Sequence, residues 1–298
     1  MTIYLDDAAV RRRLSIEKLL PAVRQALIDL SSGRVRQPLR MVMDLAAEQS
    51  LLFLKPVIAG ELLAVKLITQ VPANAERGLP TMLATVVLME ASTGRTLAVM
   101  EATGLTALRT AAVSAVGIDA LASPGAKVLA LLGSGALART HAQALRAVRP
   151  ISQIRVWSRD ARNVEACSTE IGALAAKSAE EAVRHADIVC TLTNAAQPVL
   201  KGAWLKEGAV VAAVGAVRPG WRELDDAAMR NVVIADSREA ALQEAGDVIL
   251  SGASVYAEIG EILAGTVPRP APGTTVIFKP LGQAIVDAAA ARLAYETQ

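Results

Sequence analysis

The sequence predicts an α/β protein in which a doubly wound parallel domain is inserted into an α+β domain built from both chain ends. Three observations predict it. Extended, alternating runs fill most of the first hundred residues, short apolar strands alternate with helices after Gly125, and an alanine-rich helix without a partner in that alternation closes the chain. Regular strand–helix alternation is the pattern of a parallel sheet covered on both faces.

The elements follow in order. "SIEKLLPAVRQALIDLSSG" reads as a helix, with Ser15 as N-cap, Glu17 in the first turn and Gly33 past its end. "RMVMDL", "SLLFLKPVI" and "LLAVKLITQV" are strands, and "TVVLMEASTGRTLAVM" is a hairpin whose turn residues are "ASTG". From Gly125 onward, "KVLALLG", "QIRVWS", "DIVCTLTN", "AVVAAVGA" and "NVVIAD" are strands. The helices between and after them are "ALARTHAQALRAV", "NVEACSTEIGALAA", "SAEEAVRHA" and one from Ser237. The expected division is 1–118 for the first domain, 119–275 for the parallel domain, and 276–298 for a strand and helix returning to the first.

Composition narrows the class. Of 298 residues 53% are hydrophobic and only 3% aromatic, so the core is built from Ala, Val, Leu and Ile. A net charge of +2 is too small to suggest nucleic-acid binding. No window holds the roughly 20 uninterrupted apolar residues of a membrane helix, and the N-terminus lacks the apolar core of a signal peptide. Cys167 and Cys190 show no CxxC spacing and are expected as buried hydrophobes, with no metal site. These features together read as a cytoplasmic protein.

"VLALLGSGALARTHAQAL" places Gly133, Gly135 and Ala138 at G-x-G-x-x-A spacing between a strand and a helix. Gly133 permits the turn, Gly135 lets backbone approach a pyrophosphate, and the helix N-terminus offers amide hydrogens. The inserted domain is therefore a Rossmann dinucleotide-binding domain. Its second strand is followed by Ser158 and Arg159, with Asp160 one step too late for the ribose acid of an NAD site. A guanidinium suits a phosphate, so NADP(H) is expected, with NAD(H) at lower affinity.

"ATGLTALRTAAVSAVG" is nearly all small and apolar, yet holds Arg109. A guanidinium buried there needs an anion. On sequence alone that anion is either an internal Asp or Glu or a ligand carboxylate.

"VKLITQVPANAERGLPT", "LTALRTAAVSA", "LLGSGALA", "VGAVRPGWRELD", "ADSREAALQEAGDV" and "IFKPLGQAIVDAAAARL" together resemble the ornithine cyclodeaminase/mu-crystallin family. The resemblance implies a homodimer formed through the first domain's sheet, and members that cyclodeaminate ornithine, dehydrogenate alanine or reduce cyclic ketimines. It assigns Arg40, Lys66 and Arg109 to the substrate carboxylate, with Lys66 the catalytic candidate. Expected cofactor contacts are Thr81, Gly133, Ser134, Gly135, Ala136, Leu137, Ser158, Arg159, Thr193, Val214 and Gly215.

Where cyclodeaminases and alanine dehydrogenases of the family carry an aspartate, this chain has Val217 in "GAVRPG". Valine moves no proton, which argues against adding or losing ammonia. A second departure is Pro280 in "IFKPLG", where relatives often have serine after the lysine. The expected activity is NADPH-dependent reduction of Δ1-pyrroline-2-carboxylate or Δ1-piperideine-2-carboxylate to L-proline or L-pipecolate. The alternatives are an ornithine cyclodeaminase, an amino-acid dehydrogenase or open-chain imine reductase, and a mu-crystallin-like binding protein. His141 and His185 are assigned no catalytic role, "RRR" at 11–13 is a solvated helix face, and Asp225 caps the next helix.

Overall fold

The computed structural model describes residues 1–45 and 50–297, and divides into two compact units. One comprises Met1–Arg109 with Gly282–Gln298, and the other Thr110–Leu281. The boundary falls within the Thr103–Leu121 helix. That helix has the length and mean hydropathy of a membrane span, but Arg109 and Asp119 interrupt it and most of it is buried in the protein.

The first unit is built on a mostly antiparallel sheet. Among the described residues its order is Ile3–Leu5, Thr96–Glu101, Met82–Glu90, Leu62–Gln70 and Leu51–Ala59, with Val35–Arg36 and Met41–Asp44 both pairing the last. Strands Leu51–Ala59 and Leu62–Gln70 alternate buried with half-buried residues, as a sheet with one packed face does. Helix Ile16–Ser31, capped by Ser15 as expected, and helix Ala284–Glu296 pack together, and Ala284–Glu296 also lies on these strands.

The second unit carries a parallel sheet of Leu174–Ala175, Gln153–Trp157, Val128–Leu132, Ile188–Thr191, Val210–Ala213, Val276–Lys279, Val232–Ala235 and Val255–Glu258, in that spatial order. Its first five strands follow the doubly wound order 3-2-1-4-5. Two expectations are corrected. Val276–Lys279, expected to return to the first domain with the closing helix, is wholly buried between two strands of this sheet, and only the helix belongs to the first unit. A strand buried on both faces reads as an unbroken apolar run, and nothing local says which sheet receives it. The helix expected through "GALAA" stops at Ile171, because Gly172 turns left-handed (φ 63°) and Leu174–Ala175 pairs with Arg155–Val156 instead.

Arg149 closes the far end of the Thr103–Leu121 helix. Its buried guanidinium donates to the Asp119 side chain (2.5 Å) and to the carbonyls of Ile118 (3.3 Å), Asp119 (2.6 Å), Ala122 (3.0 Å) and Ser123 (3.1 Å). These carbonyls belong to the helix's last turn and the two residues past it, where Ile118 and Ser123 also accept from the Ala122 and Ala126 amides (2.9 and 3.0 Å). Arg149→Met should lower unfolding free energy by roughly 3 kcal/mol, since several buried acceptors lose a charged donor at once. The urea midpoint measures this, and an unmoved midpoint would show that the carbonyls find other donors.

Candidate active site

In the first unit the register sets Lys55 directly across from Lys66 on adjacent strands. Both side chains point to the face covered by the closing helix, whose first turn holds Asp287. Asp287 binds Lys55 through Oδ2 (3.2 Å), and Lys66 and Arg109 through Oδ1 (2.8 Å each). All four side chains are 6% exposed or less. Lys55 also donates to the Gly282 carbonyl. Gly282 has φ 72°, and a Cβ there would meet the Arg109 guanidinium at 2.5 Å, so only glycine fits beside it.

The cluster perturbs its own titration. Burial disfavours the Asp287 carboxylate, but Arg109, Lys55 and Lys66 outweigh it and hold the carboxyl below the usual range. Burial, with Arg109 and Lys55 beside it, pushes the Lys66 ammonium well below the lysine range, against the pull of Asp287. Lys55 is lowered to about 8 by burial, with Arg109 and Arg40 adding to the shift and Asp287 opposing it. Arg40 is thus close enough to act on Lys55, and its Nε is buried. Of the three residues expected to face a carboxylate, Lys66 and Arg109 share one anchor. The question left open for Arg109 has a definite structural half: an internal acid, Asp287, does meet it.

In the second unit Gly133 ends strand Val128–Leu132 with φ 126°, and a Cβ there would meet the Leu192 carbonyl at 2.8 Å. Gly135 caps helix Ala136–Val148 without a side-chain acceptor, and the space where its Cβ would stand is open. A helix start without a side-chain cap, beside open space, fits a dinucleotide pyrophosphate. Ala136 and Leu137 begin the helix, and Ser134 bonds Ser158 (2.8 Å). Arg159 is exposed, while Asp160 caps the next helix through the Arg162 amide (3.0 Å). Thr81 is exposed in the first unit.

Thr193, Val214 and Gly215 lie at the ends of the next two strands, where Glu223 gathers Thr193 and Gly215. Its fully buried carboxylate accepts from Thr191 Oγ1 (2.7 Å), Thr193 N (2.7 Å), Thr193 Oγ1 (2.6 Å) and Gly215 N (2.8 Å). Asp247 in turn holds the Glu223 and Leu224 amides (2.7 and 3.0 Å) and Lys279 (2.9 Å), which also donates to the Gly215 carbonyl. Burial raises the Glu223 pKa, with Lys279 and the threonine hydroxyls opposing. Sequence reasoning missed Lys55, Asp287, Glu223, Asp247 and Lys279. The available signal was charge at positions of apolar strands and helices where a side chain must point inward.

His141 and both cysteines are packing groups. His141 is buried, bonded to Ser114 (2.9 Å) and the Leu137 carbonyl (2.7 Å), and burial pushes its pKa down to about 4. His185 is exposed in a left-handed turn (φ 65°). Arg11 of "RRR" pairs with Asp7 on an exposed helix, and Asp225 caps the helix at Asp226 as expected. Cys167 and Cys190 are free and buried, and no metal-binding group occurs among the described residues.

The family model of the ornithine cyclodeaminase/mu-crystallin family matches residues 2–298. The chain belongs to this family. It is 42% identical over 303 residues to ketimine reductase mu-crystallin of Mus musculus, covering 99% of this chain and 96% of that one. It is 34% identical to the Δ1-pyrroline-2-carboxylate/Δ1-piperideine-2-carboxylate reductase of Azospirillum brasilense, covering 97% and 94%. Thermococcus litoralis Δ1-pyrroline-2-carboxylate reductase, solved with NADH and L-proline, superposes with a TM-score of 0.94 at 33% identity, covering 99% and 97%. An archaeal alanine dehydrogenase dimer with bound NAD gives 0.93 at 30% identity, covering 99% and 95%.

Removing the Asp287 charge from this family member should be costly. Its folded pKa lies below the ordinary 3.8, so its contribution is fully present above that value and is lost as pH falls through the lowered one. Asp287→Asn should cost about 3–5 kcal/mol at pH 7, because buried cations lose their counter-ion. The gap to wild type, read from urea unfolding, should narrow below pH 4. A gap that stays constant to pH 2 would contradict the assignment.

Proposed function

We propose that this protein reduces a cyclic ketimine carboxylate, Δ1-pyrroline-2-carboxylate or Δ1-piperideine-2-carboxylate, to L-proline or L-pipecolate, using NADPH. The observation that carries this reading is the buried cluster of Lys66 and Arg109. Asp287 meets Arg109 at Nε and Lys66 at Nζ through one oxygen, in a chain whose relatives are named ketimine and pyrroline-2-carboxylate reductases. One ring methylene is worth about 1–3 kcal/mol in an apolar pocket, so both ring sizes fall within the reading.

Arg109 and Lys66 bind the substrate carboxylate and fix the orientation of the C=N bond. An arriving carboxylate favours the ammonium form of Lys66, which burial and Arg109 disfavour before it arrives. Lys66 Nζ then holds the proton that the imine nitrogen takes up. The reduced nicotinamide, when bound, supplies the hydride. Gly133 and Gly135 cradle the pyrophosphate, Glu223 fixes Thr193 and Gly215, and Arg159 takes the 2′-phosphate. Val217 leaves its loop without the acid that ammonia chemistry would use, which favours a preformed imine over ornithine or free ammonia.

We also infer a homodimer in a reducing, cytoplasmic compartment. Strand Met41–Asp44 is exposed along its length and, like Met82 and Leu83, presents apolar side chains to solvent, while both cysteines stay free. Light scattering should give twice the 31.1 kDa chain mass, and a monomer would refute the dimer.

The test is NADPH oxidation with each cyclic imine, alongside ornithine. Turnover of an imine without ornithine cyclisation is expected, with kcat/KM for NADPH above that for NADH. Arg109→Met should cut kcat/KM for the imine at least a thousandfold, about 4 kcal/mol, while NADPH affinity survives. Activity on ornithine alone would overturn the reading.

A further inference from the structure

The second unit buries a charge whose sign the reaction described above has not used. Glu223, Asp247 and Lys279 are each fully buried, and two acids against one lysine leave the group with a net negative charge. Lys279 pairs with Asp247 (2.9 Å), so the excess sits on Glu223. Its Oε2 accepts from Thr191 Oγ1 and Gly215 N, and its Oε1 from Thr193 N and Thr193 Oγ1. Four donors on two oxygens are satisfied by the ionised carboxylate, and a proton on it would displace one of them. Burial works against that ionised form, with Lys279 and the threonines working for it. A charge buried in this way is costly unless a counter-charge meets it.

The place of Glu223 in the sheet says what that counter-charge is. In a doubly wound sheet a dinucleotide lies across the carboxyl ends of the strands, at the point where their order reverses. Here that point falls between Val128–Leu132 and Ile188–Thr191. With the pyrophosphate at Gly133 and Gly135 and the adenosine toward Ser158, the nicotinamide belongs on the other side, where Glu223 ties down Thr193 and Gly215. We propose that Glu223 is an electrostatic partner of the nicotinamide, holding the negative charge that offsets the positive charge the ring gains when its hydride leaves. The inference rests on the NADPH-dependent reductase reading and adds a group to it. Hydride carries an electron pair to the imine carbon, the imine nitrogen takes its proton, and one positive charge stays on the ring. Glu223 acts through its field rather than by a bond, since four donors already occupy its oxygens. Away from water such a charge favours the oxidised cofactor over the reduced one, and with it the transition state of hydride donation.

Calorimetry with NADP+ and NADPH in the absence of imine tests this on the whole chain. Glu223→Gln, which keeps the shape and loses the charge, should weaken NADP+ binding at least tenfold more than NADPH binding. Glu223→Asp, which keeps the charge, should weaken both forms by similar factors. An acid that only braced the loops would move the two forms together in both variants, so an unchanged affinity ratio in Glu223→Gln would overturn the inference. The wild type gives a reading that needs no variant. It should bind NADP+ at least as tightly as NADPH, and weaker binding of NADP+ would overturn the inference as well. Either result leaves the ketimine reading standing on imine turnover, whereas a protein that binds neither form would refute both.

Discussion

One carboxylate organises the first unit. Asp287 reaches from the closing helix into a sheet whose two central strands present facing lysines, and it meets Arg109 from a third element. Each cation alone would be a large desolvation cost in an interior made of Ala, Val, Leu and Ile. Together with Asp287 they stay ionisable at positions where water has been removed. That is the condition under which a charged group discriminates strongly between ligands and a proton can be moved at neutral pH. The cluster is therefore poor as a stabilising device and well suited to recognition, since hydrophobic replacements would pack such a core at lower cost.

The second unit applies the same logic with the sign reversed. There a buried glutamate is surrounded by donors, and it bonds the chain just past two sheet strands rather than a ligand. A Cβ at Gly215 would run into the Thr193 carbonyl and the Glu223 carboxylate, so strand ends and acid are packed to contact. Asp247 and Lys279 then brace Glu223 from behind. Lys279 sits on the strand inserted between Val210–Ala213 and Val232–Ala235, which is why that late segment belongs to this sheet.

What the sequence discloses divides by range. Ser15, Asp225 and Gly172 act through neighbours three or four residues away, and the glycine loop works through a strand and helix that adjoin it. Such features are legible when their positions are read together, although Gly172 shows how a missed terminator extends a helix. Arg109 and Lys66 stood out because they interrupt apolar runs, yet their common partner did not. "AIVDAAAARL" offers one acid on an alanine-rich helix, a pattern that fits a solvated face equally well. Lys55 beside Pro56 likewise reads as an edge charge until the register sets it opposite Lys66. Strand Val276–Lys279 is apolar throughout and would satisfy either sheet.

The separation of these partners bears on how the first unit can form at all. Asp287 lies 221 residues from Lys66 and 232 from Lys55. Closing such loops through disordered chain is slow, and until it happens two facing lysines oppose their own strand pairing. The chain leaves the first unit and returns to it at neighbouring points. It leaves the first unit after Arg109 and re-enters at Gly282, and within the first unit those two residues touch. The close fit of Gly282 against Arg109 thus links the fold and the site. The residue that lets the chain return is the one that lets the guanidinium lie beside its acid, and a side chain there would disturb both.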